Sequence, residues 1–273
     1  MFEPPATGLQ AYHAERSTRP QVHGSNRSPM SIFRHPVTVP STVVGLLCLI
    51  ATFLVGVPVV ISVVVGVVLG GFFAAVVTRR AEGVLRRALG VRPALVGEFP
   101  RLFNTIDGLC LTHGIQRPEV YVLDSRAGNA LAMAGRKSAS IVLTTGAADR
   151  LTLVELEALV AYLLVRCTDE GLRGETTVVT LGRFRSLGSA GLGRWAAGAG
   201  RDRMVRTDFD GAELTRFPPG MQEALRALAD LGAAVDAPAS TTRLWLLQPD
   251  GRTDKATADH PSVDMRIAAL GER

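Results

Sequence analysis

Between Pro36 and Thr78 the sequence contains no Asp, Glu, Lys, Arg, His, Asn or Gln. No element of a soluble core needs an uncharged run of that length, so a wholly soluble protein is excluded. Aromatic residues are scarce, at 5% of 273 residues, while hydrophobic residues make up 47%. The apolar surplus is therefore aliphatic, and it is far above what a disordered chain carries. Lysine is nearly missing: Lys137 and Lys255 are the only two, and arginine supplies the rest of the basic side chains. A net charge of +5 carried in that way, beside abundant Ala, Gly and Val, reads as compositional bias, and no nucleic-acid partner is expected. Cysteine is limited to Cys48, Cys110 and Cys167. Being odd in number and far apart, they indicate neither a disulfide framework nor a CxxC zinc site, which suits a reducing cytoplasm.

The uncharged run is too long for one helix through roughly 30 Å of hydrocarbon and suits two short ones. Gly56-Val57-Pro58 interrupts it near the middle, with a flexible residue followed by one that lacks a backbone donor. The reading is a transmembrane helical hairpin within residues 36–78, with helices over Val39–Val55 and Val59–Val77, and with Gly66 and Gly70 allowing close approach of the backbones. Arg27 and Arg34 precede the hairpin, Arg79, Arg80, Arg86 and Arg87 follow it, and the turn carries no positive charge. Both ends are therefore expected in the cytoplasm, as a multi-pass protein of the cell (inner or plasma) membrane. A single long tilted helix is the competing arrangement. Residues 1–35, rich in Pro, Ser, Arg and Gly, are expected to form a disordered cytoplasmic tail.

The remainder, residues 79–273, reads as one domain. Helical spacing of apolar residues marks 81–89 and 99–113, and short β-branched or aromatic runs mark strands at 119–124, 129–133 and 140–144, the last two joined by a turn at 135–138. Thr152, with Glu155 three residues on, signals the start of a helix to about Thr168 whose second half is apolar all round. A Gly- and Arg-rich stretch over about 171–200 reads as a flexible insert, a solvated helix, or an amphipathic segment whose arginines touch anionic lipid. Leu244 to Leu247 is a short apolar segment expected to pack on the domain.

The order of these pieces, with the strand region EVYVLDSRAGNALAMAGRKSASIVLTTGAADRL, the helix LTLVELEALVAYLLVR, the segment Arg203–Asp208 followed by Ala212–Arg216, and the C-terminal His260-Pro261 leading to Arg266-Ile267 and Leu270, resembles the HtpX-like membrane zinc metallopeptidases, a group that includes the CAAX prenyl proteases. The resemblance implies an α+β fold: a membrane hairpin followed by a zincin-like, mainly helical domain with a small β-sheet. It also implies a zinc endopeptidase built on HExxH, where two His one turn apart hold the metal and the Glu between them activates its water.

This sequence departs from that pattern at every reacting position. The pentad matching HExxH is Tyr162-Leu163-Leu164-Val165-Arg166, and Met204 stands where the family's third ligand, a Glu, is expected. A neutral phenol and a thioether are poor zinc ligands, Leu163 takes no proton, and Arg166 adds a fixed positive charge. No catalytic residue, no zinc and no other cofactor is expected, and Cys167 and Asp169 are rotated off the face of Tyr162 and Arg166, which argues against a substitute site with Asp208 and His260. What the resemblance retains is Asn129, Ala130, Leu131 and Ala132 on the substrate edge strand, and His260. Asn129 has a simpler reading as the satisfier of a strand-end backbone group, and His260 as the cap of a helix starting near Pro261. The expectation is a membrane-anchored pseudopeptidase that binds or regulates a membrane protein or extended peptide by pairing along Asn129–Met133, with an active metalloendopeptidase using substituted ligands as the alternative. A buried Arg166 needs a carboxylate, and Asp208 is the acid expected to supply it.

Overall fold

The structure is a computed structural model that describes residues 38–136, 138–182, 200–257 and 259–272. The expected N-terminal tail, and residues 183–199 of the expected insert, lie outside the described residues. The fold is α+β: a mainly helical chain around a small mixed sheet.

Helices α1 (Thr38–Leu54) and α2 (Val59–Leu89) run antiparallel, since Ser41 meets Gly70 and Gly45 meets Gly66. A methyl group added at Gly66 would sit 2.6 Å from the Gly45 carbonyl oxygen, and one added at Gly45 would sit 2.7 Å from that of Gly66. Only paired glycines allow that approach. The turn between the helices uses Gly56 at φ +90°, the left-handed region that favours glycine. Among the described residues, α2 is long and apolar enough to cross a membrane, and α1 is a shorter apolar helix. The sequence placed a boundary at Thr78, yet α2 passes it without a break and buries Ala81, Leu85 and Leu89 in the domain before Gly90 caps it at φ +65°. One rigid rod thus joins the apolar hairpin to the folded domain.

The sheet comprises β1 (Arg92–Pro93), β2 (Glu119–Leu123), β3 (Ala130–Ala134) and β4 (Ala139–Thr144), in the order β1-β2-β4-β3. The β3–β4 hairpin pairs Ala130 with Leu143 and Ala134 with Ala139, and β2 lies parallel to β4. Helix α3 (Pro100–His113) follows β1, and the short α4 (Thr145–Arg150) follows β4. Helix α5 (Leu153–Thr168) opens with the full capping box that Thr152 and Glu155 announced. Its run from Ala158 to Leu164 is buried, because it packs on the sheet, on α3 and on the later helices at once.

Helix α6 (Leu172–Gly182) corrects the reading of 171–200 over its first part. Thr176, Thr177, Val178, Val179, Thr180 and Leu181 are all buried against β3 and α2, so this segment is core. Its threonines hid that role, since each can return its hydroxyl to its own helix, as Thr176 does to the Leu172 carbonyl and Thr180 to that of Thr176. Helices α7 (Gly200–Thr215), α8 (Pro218–Asp230) and α9 (Val263–Gly271) complete the domain. Ser262 caps α9 by accepting from the Met265 amide, so His260 is not its cap.

Candidate functional site

The four positions that the resemblance sets against zinc ligands and base, Tyr162, Leu163, Arg166 and Met204, lie where α5 and α7 meet, and all are buried. The two helices approach closely because Gly211 lies against Tyr162, where a methyl group would sit 3.1 Å from the tyrosine Cα. What fills this junction is ionic. Arg266 of α9 donates from Nε to Asp208 Oδ2 at 2.7 Å and from Nη2 to Oδ1 at 2.6 Å, with both side chains 1% exposed. Its guanidinium also stands over the Tyr162 ring, 5.6 Å from the centroid. Burial by itself would lower the Arg266 pKa, but the charge and hydrogen bonds of Asp208 outweigh it and raise it.

The expected Arg166 to Asp208 pair is therefore not formed. Asp208 is held by the fork of Arg266, which comes from α9, a helix packed on α7. Arg166 turns instead toward the start of α6, donating to Asp169 Oδ2 at 2.5 Å and to Glu175 Oε2 at 2.6 Å. Glu175 takes a second guanidinium, that of Arg203 on α7. Burial disfavours the Arg166 charge, yet Glu175 foremost among its neighbours overcomes this and the pKa is raised.

These residues do not fit a zinc ion. Two permanently charged guanidiniums, an aliphatic side chain and a thioether line the place, and the nearby acids are engaged in ion pairs. Among the described residues no group of three or more His, Cys, Asp or Glu could hold a metal. Cys167 is no replacement, since burial pushes its thiol up to about 12 and keeps it protonated.

The edge of β3, expected to receive a peptide, is occupied by the chain itself. Leu131 bridges to Trp245, the Leu246 amide donates to the Ala130 carbonyl at 2.7 Å, and the Ala134 amide donates to Thr176 Oγ1. Ala130, Leu131, Ala132 and Met133 are buried. Asn129 is fully engaged: its Nδ2 donates to the carbonyls of Ala233 and Leu247, and its Oδ1 accepts from the amides of Ala130 and Leu247. His260 Nε2 donates to the Trp245 carbonyl at 2.9 Å, and Arg266 Nη1 donates to the Leu246 carbonyl at 2.8 Å. Three side chains from three parts of the chain thus grip three successive residues, Trp245, Leu246 and Leu247. The simpler reading of Asn129 holds, and both it and His260 serve an internal strand in place of a foreign one.

His260 carries a measurable consequence. Burial foremost, with help from the Arg266 charge, lowers its pKa from 6.5 to about 4, so the ring is neutral in the folded protein at neutral pH. The unfolded chain binds the proton more readily, so stability is full above pH 6.5 and is lost as pH falls toward about 4. The cost is about 3 kcal/mol. Unfolding followed across that window should be steeper for the native chain than for His260→Gln by one proton; equal slopes would refute the assignment.

Arg266, Glu175 and Arg203 escaped the sequence reading. A signal for the first was present: Arg266 follows Val263 by three residues and precedes Leu270 by four, which puts a charge on the buried stripe of a helix.

No family model matches the chain, and no solved structure matches it. Curated relatives do match. The chain is 29% identical to a Protease HtpX homolog of Dictyoglomus thermophilum over 71% of this chain and 77% of that one. It is 28% identical to a Protease HtpX homolog of Tropheryma whipplei (67% and 76%) and 24% identical to one of Bacteroides fragilis (77% and 79%). Over about 70% of its length the chain is thus similar to curated Protease HtpX homologs of several bacteria.

Proposed function

We propose that this chain is a membrane-anchored pseudopeptidase: a non-hydrolytic, HtpX-like protein with a degenerate, zinc-free zincin-type domain that binds or regulates membrane proteins or peptides. The observation that carries the reading is Arg166. At the position of the second zinc-binding His it is 5% exposed and spent on Asp169 and Glu175, and a fixed positive charge there opposes a dication. Leu163, at the position of the base, takes no proton from water.

The membrane part of the reading rests on the outward face of α1 and α2. Leu46, Leu47, Phe53, Val60, Val67 and Phe72 are among the large apolar side chains there that no protein covers. The hairpin crosses the membrane twice and leaves the domain in the cytoplasm, on the side of Arg79 and Arg80. Because Trp245 to Leu247 fill the β3 edge, the partner is met elsewhere on the surface.

Metal analysis and chelator-sensitive proteolysis on the purified full-length protein test this. The expected result is zinc well below one ion per chain and no chelator-sensitive cleavage of casein. Stoichiometric zinc with cleavage that a chelator abolishes would establish a metalloendopeptidase with substituted ligands.

A further inference from the structure

Helix α2 leaves the uncharged run at Thr78 and places Arg79 and Arg80 next, both exposed. One turn on, Glu82 points at the sheet. Its Oε1 accepts from Ser140 Oγ at 2.5 Å, and its other oxygen fills the space that a side chain at Gly135 would need. The β3–β4 turn is thus docked on α2 four residues beyond Thr78, about 6 Å along the helix axis at its usual rise. A second clamp fixes the same turn: Arg173 of α6 donates from Nε to the Gly135 carbonyl at 2.9 Å and from Nη2 to the Arg136 carbonyl at 3.0 Å. Thr180 adds a third link, donating to the Ala81 carbonyl of α2 at 3.1 Å.

The outcome is an exposed Arg136, its backbone held by Arg173, beside the end of the apolar helix. Among the described residues Arg79, Arg80 and Arg136 have no carboxylate within 4.0 Å, whereas Arg86 and Arg92 further along are answered by Glu119, Glu98 and Asp124. With α2 spanning a bilayer, guanidiniums just past its uncharged run would meet the headgroup layer, where their planar donors suit phosphate oxygens.

Building on the membrane-spanning reading of α2, we propose that Arg79, Arg80 and the Arg136 turn form a collar for anionic phospholipid headgroups. The occupant is the headgroup phosphate of the leaflet that α2 leaves. Because α2 runs unbroken into the core and the turn is pinned to it, headgroup contact at Arg136 fixes the tilt of the whole domain against the bilayer. Each arginine near an anionic surface strengthens the contact about fivefold, equivalent to ~1 kcal/mol, and salt weakens it.

The test uses the full-length protein in nanodiscs of phosphatidylcholine, with and without phosphatidylglycerol, and reads amide exchange of a peptide spanning 132–139. Exchange should slow about fivefold when phosphatidylglycerol is present, and the difference should vanish in Arg136→Glu and at high salt. The Arg136 side chain is exposed, so that variant should keep the native unfolding midpoint, which is measured alongside. Equal exchange in the two lipids overturns the collar. Equal slowing by soluble glycerol phosphate in phosphatidylcholine discs also overturns it, because the site would then be one for free anions. A chain released from vesicles by alkaline carbonate refutes the membrane reading itself, whereas an inserted chain indifferent to lipid charge refutes only the collar.

Discussion

Arg266→Met is expected to destabilise the domain by about 4 kcal/mol, the largest effect of any single substitution on the surface of α9 that faces α7. The reason is what stays behind. Asp208, 1% exposed, would lose both hydrogen bonds and its counter-charge, and the Leu246 carbonyl would lose its donor. A buried carboxylate left alone costs several kcal/mol, far more than the pair contributes relative to apolar side chains of the same volume. Adding Asp208→Leu to Arg266→Met should therefore recover most of the loss. What remains is the unsatisfied Leu246 carbonyl, about 1–2 kcal/mol. Chemical unfolding of the full chain in detergent gives all three values. If Arg266→Met shifts the midpoint no more than the double variant does, the two charges are not coupled.

That prediction rests on a pair the sequence misassigned, and the misassignment is instructive. The local signals were legible: Thr152 and Glu155 formed their capping box, Gly135 to Ser138 made the hairpin turn, and Gly56 to Pro58 reversed the apolar helices. Each depends on residues a few positions apart, where spacing fixes geometry. Pairing across the fold does not follow from spacing. The resemblance alone suggested Asp208 as the partner of Arg166, whereas in the fold Asp208 takes the fork of Arg266 and Arg166 takes Glu175. The parallel pairing of β2 with β4 was equally hidden, because both strands read as short apolar runs whatever their direction. Nor did α6 announce itself. Its hydrophobic stripe is built partly from Thr176, Thr177 and Thr180, polar by type but closed off by bonds to their own helix. The substrate strand is a subtler case. The resemblance pointed to Asn129 and His260 as polar groups of the cleft, and their spacing could not reveal that Trp245 to Leu247 would lie against both.

Glu175→Gln should cost nearly as much as Arg266→Met, about 3 kcal/mol, although only one side chain is neutralised. Glu175 is 14% exposed and serves two guanidiniums, Arg166 of α5 at 5% and Arg203 of α7 at 19%. Without its charge the two cations have, among the described residues, Asp169 to answer them, and Asp169 is 35% exposed and pairs with Arg166. Asp169→Asn should accordingly cost less than about 1 kcal/mol, the usual range for a solvent-screened pair. The contrast separates an ionic tie between α5 and α7 from a general wish for negative charge near Arg166. A triple replacement of Arg166, Glu175 and Arg203 by apolar residues of similar volume should stay close to native stability, since buried ion triads exchange for hydrophobic packing at little net cost. The measurement is again the unfolding midpoint, with limited proteolysis reporting separation of α5 from α7. If Glu175→Gln and Asp169→Asn prove equally mild, the helices are held by packing at Tyr162, Met204 and Gly211, and the carboxylate does not tie them.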